Sequence, residues 1–285
     1  MEGSVKVERF DRAVMLLPYA MRERARELGR QEREECEEIR LRIGESLSFT
    51  FPDGERDRGG DKITRRDLDY AFELCTGASA YASRERISEG FVTAKGGYRV
   101  GLAGQYGEGG LMRLTGLDIR ISREIRGCAE PLLREKPLST LILSPPGGGK
   151  TTLLRDLIRL TGEKYRVSVC DERGELACFW EGTPTMDLGR RTDIIDGVPK
   201  ARAAMMLIRS MNPQVIALDE ITAPEDVSAV SAAAHCGVKV YATVHADSLE
   251  ELGEKPLYRA LFNERIFERA IIIGNGRKYT EAAIV

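Results

Sequence analysis

The strongest chemical signal is the run Leu141-Ile142-Leu143-Ser144-Pro145-Pro146-Gly147-Gly148-Gly149-Lys150-Thr151-Thr152. It follows the phosphate-loop pattern G-x-x-x-x-G-K-[ST], with Ser144 in place of the first glycine. The apolar stretch before it reads as a strand and the segment after it as a helix, which is the context such a loop requires. Backbone N–H groups from Gly147 to Thr151 would face inward at a helix N-terminus and cradle phosphates. Pro146, Gly147, Gly148 and Gly149 are the expected nucleotide-binding loop. Lys150 is expected to reach the β- and γ-phosphates as a point charge, Thr151 to ligate Mg²⁺ through its hydroxyl, and Thr152 to touch the α-phosphate.

Downstream, Val215-Ile216-Ala217-Leu218-Asp219-Glu220 places two carboxylates at the end of four apolar residues. This is the Walker B form: Asp219 is expected to hold Mg²⁺, and Glu220 to orient and deprotonate the attacking water. Between the two motifs, Cys170-Asp171-Glu172-Arg173-Gly174-Glu175 closes another apolar run. Ligands of parallel sheets gather at the carboxyl ends of strands. Asp171 and Glu172 are therefore expected to face the same nucleotide, with Glu172 a catalytic candidate. Ala242-Thr243-Val244-His245-Ala246 ends the next run, and Thr243 or His245 is placed to sense the γ-phosphate. His235, on an alanine-rich helix, reads as structural.

Charge on a transferring phosphate is often stabilised by an arginine from a neighbouring subunit. Arg190, Arg191 and Arg209 are candidates, as are Arg120 and Arg123 ahead of the phosphate loop. Each suits a surface ion pair equally well, and the sequence selects none of them.

These groups need a scaffold. From Ser139 onward, continuous apolar strands alternate with helices: strands near 141–143, 165–170, 215–218, 239–244, 270–273 and 279–285, and helices over 151–161, 200–211 and 224–235. That pattern means a parallel sheet covered on both faces. The first part reads differently. Tyr19 to Glu38 is a charged, solvated helix with Gly29 a break or cap. Ile39 to Ile43, Leu47 to Phe51 and Leu117 to Ile121 read as strands, with Phe51 to Asp61 a polar Gly/Asp loop that could form a hairpin connection. Thr64 caps a helix to Cys75, and a further helix ends at Ile87–Phe91. Phe91–Ala94 and Tyr98–Leu102 form a hairpin around Gly96-Gly97, and Gly104 to Gly110 reads as a turn. The expected organisation is a smaller α+β amino-terminal domain, 1–130, followed by an α/β P-loop domain, 131–285.

Composition narrows the function classes. A chain of 285 residues fits two domains at about 150 residues each. The net charge of −2 removes bulk electrostatics as an argument for nucleic-acid binding. No uncharged apolar run approaches the roughly 18 residues of a membrane helix, and the charged start is unlike a secretory signal. The six cysteines form no C-x-x-C pair and only two histidines are present, which argues against a structural zinc site. No guanine-selective N/T-K-x-D tetrad occurs, so ATP is expected over GTP.

Several segments outside the phosphate loop resemble the stage III sporulation protein AA family. They are Gly90-Phe91-Val92-Thr93 with Gly96 to Gly104, Asp118 to Glu124, Pro145-Pro146 with Gly149 to Asp156, Asp171-Glu172-Arg173, and Lys200 with Met205 to Pro213. Ser144 departs from the family's usual glycine. The resemblance implies a RecA-like motor similar to type II and type IV secretion ATPases. It also implies a homo-hexamer at the cytoplasmic face of the membrane, on the mother-cell side. Its partners would be membrane proteins of the channel joining mother cell and forespore, which the protein would energise with ATP and Mg²⁺. By the same resemblance Asp171-Glu172 corresponds to an acidic box and His245 to a histidine box. The alternative is a nucleic-acid-stimulated RecA-like ATPase, for which the neutral charge and 6% aromatic content offer little support. A nucleotide-gated scaffold is opposed by Glu220, and a small-molecule kinase by the lack of an acceptor lid.

Overall fold

A computed structural model describes residues 2–77, 87–108, 110–122, 124–274 and 278–284. Arg123, Val285 and the body of the helix expected to end at Ile87–Phe91 lie outside them. Two compact units divide the chain. One comprises Met1–Glu124 with Cys178–Thr185, and the other comprises Ile125–Ala177 with Met186–Val285.

The first unit is built on strands β1 (Glu38–Arg42), β2 (Ser48–Phe51), β3 (Gly54–Asp57), β4 (Phe91–Ala94), β5 (Tyr98–Gly107) and β6 (Gly110–Arg120). They form one antiparallel sheet in the order β3-β2-β1-β6-β5-β4. Helices α1 (Glu2–Val14), α2 (Tyr19–Arg26), α3 (Arg30–Glu35) and α4 (Arg65–Thr76) accompany it. Alternation in β1 buries Ile39 and Leu41 while Glu38, Arg40 and Arg42 stay half-buried on the opposite face. Phe10, Leu17, Phe49, Leu68, Val100 and Ile119 complete that core. Thr64 caps α4: its hydroxyl accepts the Asp67 N–H, and Asp67 accepts the Thr64 N–H.

Three expectations are sharpened in this unit. The charged stretch from Tyr19 breaks as expected at Gly29, the N-cap of α3, and its helix ends at Glu35 rather than Glu38. The polar segment after Phe51 does form the hairpin it allowed: Pro52-Asp53 make the turn, and β3 pairs back on β2 without apolar residues of its own. The expected turn at Gly104 to Gly110 is narrower than that run: β5 continues to Gly107 and β6 begins at Gly110, with two register shifts along the pair, and a Cβ at Gly104 would lie 2.1 Å from the Arg113 carbonyl oxygen. Glycine there permits close approach of two strands.

The second unit is a seven-stranded sheet in the order β11-β8-β12-β13-β7-β14-β15. Its strands are β7 (Thr140–Ser144), β8 (Val167–Asp171), β11 (Thr192–Asp196), β12 (Val215–Leu218), β13 (Lys239–His245), β14 (Arg269–Ile273) and β15 (Tyr279–Ala283). All neighbours are parallel except β14 and β15. Its helices are α5 (Lys150–Gly162), α6 (Lys200–Met211), α7 (Pro224–His235), α8 (Leu249–Glu254) and α9 (Pro256–Asn263). Every residue of β7, β8 and β12 is buried, as two-sided coverage demands. β11, α8 and α9 have no counterpart in the sequence reading.

Register lines up the chemistry. Ser144 pairs with His245, Leu218 with Ala242, and Leu218 also with Cys170. The carboxyl ends of β7, β13, β12 and β8 therefore meet along one rim of the sheet. After β8 the chain contributes a short ladder, β9 (Phe179–Trp180) with β10 (Thr183–Pro184), to the first unit before returning at Met186. Gly97 shapes the packing of that insert: its φ is +76°, and a Cβ there would lie 2.2 Å from the Cys178 carbonyl oxygen. Among the described residues, no helix is long and apolar enough to cross a membrane.

Candidate functional site

The phosphate loop joins β7 to α5. Gly147 and Gly149 adopt left-handed backbone, φ +74° and +98°, and Gly149 is the N-cap of α5. A Cβ on Gly148 would fall 2.3 Å from the Ser144 hydroxyl. Ser144 therefore occupies space beneath the loop, which a glycine-only position accommodates. Pro146 lies at the loop's exposed crest and Thr152 one residue past Thr151 in the first turn of α5.

Lys150 is buried at the start of α5. Its ammonium donates to the carbonyl oxygens of Ser144 (3.0 Å) and Pro145 (3.2 Å) and stands 2.8 Å from His245 Nδ1. Burial lowers the Lys150 pKa, and the nearby charges of Glu220 and Asp219 oppose that shift.

Asp219, at the end of β12, accepts from two hydroxyls. Thr151 donates to Oδ2 at 3.0 Å and Thr243 donates to Oδ1 at 2.8 Å. Burial raises its carboxyl above the ordinary range, while the bonds from Thr243 and Thr151 pull it back. Glu220 has left-handed backbone with φ +50°, uncommon for a residue with a side chain. Its N–H donates to Thr243 Oγ1 at 2.8 Å. Its Oε1 lies 3.1 Å from His245 Nε2, and its Oε2 accepts from Arg173 Nη1 at 2.9 Å. Lys150, Thr151, Asp219, Glu220, Thr243 and His245 thus form one connected cluster at the rim of the sheet.

The acidic segment behaves differently from the sequence expectation. Asp171 does not face the rim. Its carboxylate is buried and accepts the N–H groups of Glu175, Leu176 and Ala177, which fixes the loop after β8. Burial nonetheless lifts its pKa to about 6, against those backbone bonds. Arg155 braces the same loop from α5, donating to the carbonyl oxygens of Leu176 (3.0 Å) and Glu175 (2.5 Å). Glu172 is outside the cluster around Lys150. It pairs at 2.7 Å with Lys200, a buried ammonium that also lies 3.4 Å from Asp226. Asp226 in turn accepts the N–H groups of Thr222 and Ala223, just past Glu220.

The arginines sort by position. Arg190 pairs with Glu163, and Arg191 donates to the Lys164 carbonyl, both beside the carboxyl end of α5. Arg209 is exposed in the last turn of α6. All three are at the opposite end of the strands from the phosphate loop. Arg120 ends β6, and His235 is exposed in the last turn of α7 rather than packed in a core. Sequence reasoning missed Arg173, Lys200 and Arg155 as parts of the rim. Their partners are fixed by strand order, and no local spacing could reveal them.

The sequence pattern of the family described as "Sporulation stage III, protein AA" matches residues 8–283. The chain belongs to this family. A curated relative, stage III sporulation protein AA of Bacillus subtilis (strain 168), is 37% identical over 283 residues. That alignment covers 92% of this chain and 90% of the relative. Among solved structures, the pilus retraction motor PilT with bound ADP aligns with TM-score 0.61 at 16% identity, covering 92% of this chain and 80% of that one. The ATPase DotB of Legionella pneumophila aligns with TM-score 0.58 at 16% identity, covering 86% and 75%. These structural likenesses establish the RecA-like P-loop fold.

Proposed function

We propose that the protein is an Mg²⁺-dependent ATPase that energises a secretion-like channel between mother cell and forespore during sporulation. The observation that carries this reading is the convergence of Lys150, Thr151, Asp219, Glu220 and His245 at the ends of neighbouring strands. A hydroxyl and a partly buried carboxylate 3.0 Å apart make a hard oxygen donor set suited to Mg²⁺. Thr151 and Asp219 would hold that ion, which would neutralise charge on the β- and γ-phosphates of ATP.

The chain's own groups do the rest. The N–H groups of Gly147 to Thr151 bind phosphate oxygens with the field of α5 behind them. Lys150 exchanges its carbonyl partners and His245 for phosphate oxygens, a charge-assisted contact. Glu220 takes the proton of the attacking water, and His245, 3.1 Å from its Oε1, aligns that carboxylate. ADP bound to the pilus motor supports nucleotide as the ligand class here. The family resemblance read from the sequence supports a homo-hexamer, peripheral to the membrane on the cytoplasmic, mother-cell side, with membrane proteins of the channel as partners. Arg123, Arg190, Arg191 and Arg209 are the arginines from which a neighbour's contribution would come.

The test is ATP hydrolysis by the purified full-length protein, with and without Mg²⁺, over a protein concentration series. Lys150→Ala and Glu220→Gln should each lower turnover by about 10²–10⁴-fold. Specific activity that rises with protein concentration fits an assembled ring. No turnover at any concentration would overturn the ATPase reading. Stimulation by DNA or RNA that collapses steeply with salt would favour the nucleic-acid-stimulated alternative.

A further inference from the structure

We propose that Arg173 is a positioning residue that acts as a catch on Glu220, holding the general base away from water until the pair opens. The inference rests on the ATPase reading of the same rim. A carboxylate that deprotonates water must offer that water an oxygen. Both oxygens of Glu220 are engaged: Oε2 takes the Arg173 guanidinium at 2.9 Å, and Oε1 faces His245 at 3.1 Å.

The geometry of the Arg173 turn makes this pairing a built feature. Asp171 is anchored by three backbone N–H groups from Glu175 to Ala177, and the Gly174 N–H donates to the Asp171 carbonyl at 3.2 Å. Glu172 is anchored by the buried ammonium of Lys200. Gly174 turns the chain with φ +65°. Arg173 is the tip of a turn fixed on both sides, with its side chain 52% exposed against 22% for Glu220. The partner is equally constrained, since the left-handed backbone of Glu220 is held by its N–H bond to Thr243. Two rigid supports on neighbouring strands thus meet through one flexible, half-exposed guanidinium.

The pair is also wired to the phosphate loop. His245 touches Glu220 through Nε2 and Lys150 through Nδ1, so Arg173, Glu220, His245 and Lys150 form a chain of contacts. Phosphate oxygens compete with His245 for the Lys150 ammonium, so anion arrival alters one end of this chain of contacts while Arg173 holds the other. A half-exposed charge pair is weak, so the catch opens readily and its removal has a modest effect.

The experiment measures steady-state ATP hydrolysis by full-length wild type, R173A, R173K, E220Q and the R173A/E220Q double variant, with binding of a fluorescent ATP analogue measured alongside. R173A should raise kcat by about two- to fivefold with KM for ATP changed by less than about twofold. R173K, which keeps the cation, should stay near wild type. The double variant should be as inactive as E220Q, because the gain runs through Glu220. Turnover in R173A at or below the wild-type level would overturn the catch while leaving the ATPase reading intact. A gain that survives in the double variant would overturn it too. Absence of turnover in wild type and R173A alike, with the analogue still bound, would overturn the ATPase reading and the catch with it.

Discussion

The Thr243 hydroxyl reaches from β13 to the carboxylate of Asp219 at 2.8 Å, and the same oxygen accepts the Glu220 N–H at 2.8 Å. One side chain on one strand therefore fixes both consecutive carboxylates on the next. Asp219 is aimed at Thr151, and Glu220 is held in its left-handed backbone, by a group that carries no charge.

Thr243→Val keeps the shape and removes both bonds. Leaving a buried carboxylate oxygen and an N–H without this partner should cost about 1–3 kcal/mol. The urea midpoint should fall accordingly, and half-maximal ATP turnover should need more Mg²⁺. An unchanged Mg²⁺ requirement would separate Thr243 from Asp219.

Lys200→Met should destabilise more strongly. Its ammonium is 7% exposed and lies between Glu172 and Asp226. Removing one member of a buried ion pair leaves uncompensated charge, at a cost of about 3–5 kcal/mol. Adding Glu172→Gln to Lys200→Met should recover part of the loss in a denaturant titration. No recovery would mean that packing of the lysine stem, not charge, is what matters.

Asp118 predicts a pH dependence in the first unit. Burial, then the charge of Glu38, raises its carboxyl to about 6, while Arg40 and the neighbouring arginines oppose. The unfolded value is near 3.8. Folding therefore favours the protonated form, so the contribution is full below about pH 4 and is lost as pH rises through about 6. Asp118→Asn should remove that slope, worth about 2 kcal/mol between pH 4 and 7. Urea midpoints of wild type and variant at both pH values check it, and parallel slopes would sink it.

Thiol labelling should single out one cysteine. Cys236 is exposed just past α7, whereas Cys36, Cys75, Cys170 and Cys178 are buried. Burial pushes the thiols of Cys75 and Cys128 up to about 12, so neither offers thiolate at neutral pH. A maleimide should modify one thiol rapidly in the folded protein, and Cys236→Ser should abolish that phase. A fast phase that persists would place another thiol at the surface.

What the sequence made legible follows from how local each signal is. The loop from Ser144 to Thr152 is contiguous, and the strands ending at Leu143 and Leu218 are unbroken apolar runs, so the Lys150 and Asp219 motifs could be read directly. β11 escaped because Thr-Asp-Ile-Ile-Asp at a sheet edge is half-buried throughout and carries no continuous apolar run. Gly104 to Gly110 was read too widely as a turn, since glycine marks both turns and close strand approach: β5 runs past Gly104 to Gly107 before β6 begins at Gly110. Arg173 and Glu220 are 47 residues apart and meet only because β8 and β12 are neighbours in the sheet. Asp171 was expected to face the nucleotide for its type and place, yet its carboxylate oxygens are taken by backbone N–H groups four to six residues on, a loop geometry that spacing does not encode.

The excursion of Cys178–Thr185 bears on the order of events during synthesis. Domains generally fold as units from the amino terminus while the chain is still emerging. Here the first unit lacks a piece that is made only after β7, α5 and β8. Gly97 cannot meet its backbone partner at Cys178 until most of the phosphate-loop unit's first half has been translated. The amino-terminal unit must therefore wait, unfinished, for a segment encoded inside the other. A single cut cannot separate the two into complete pieces, and a ribosome paused before residue 185 would display a first unit with an open seam.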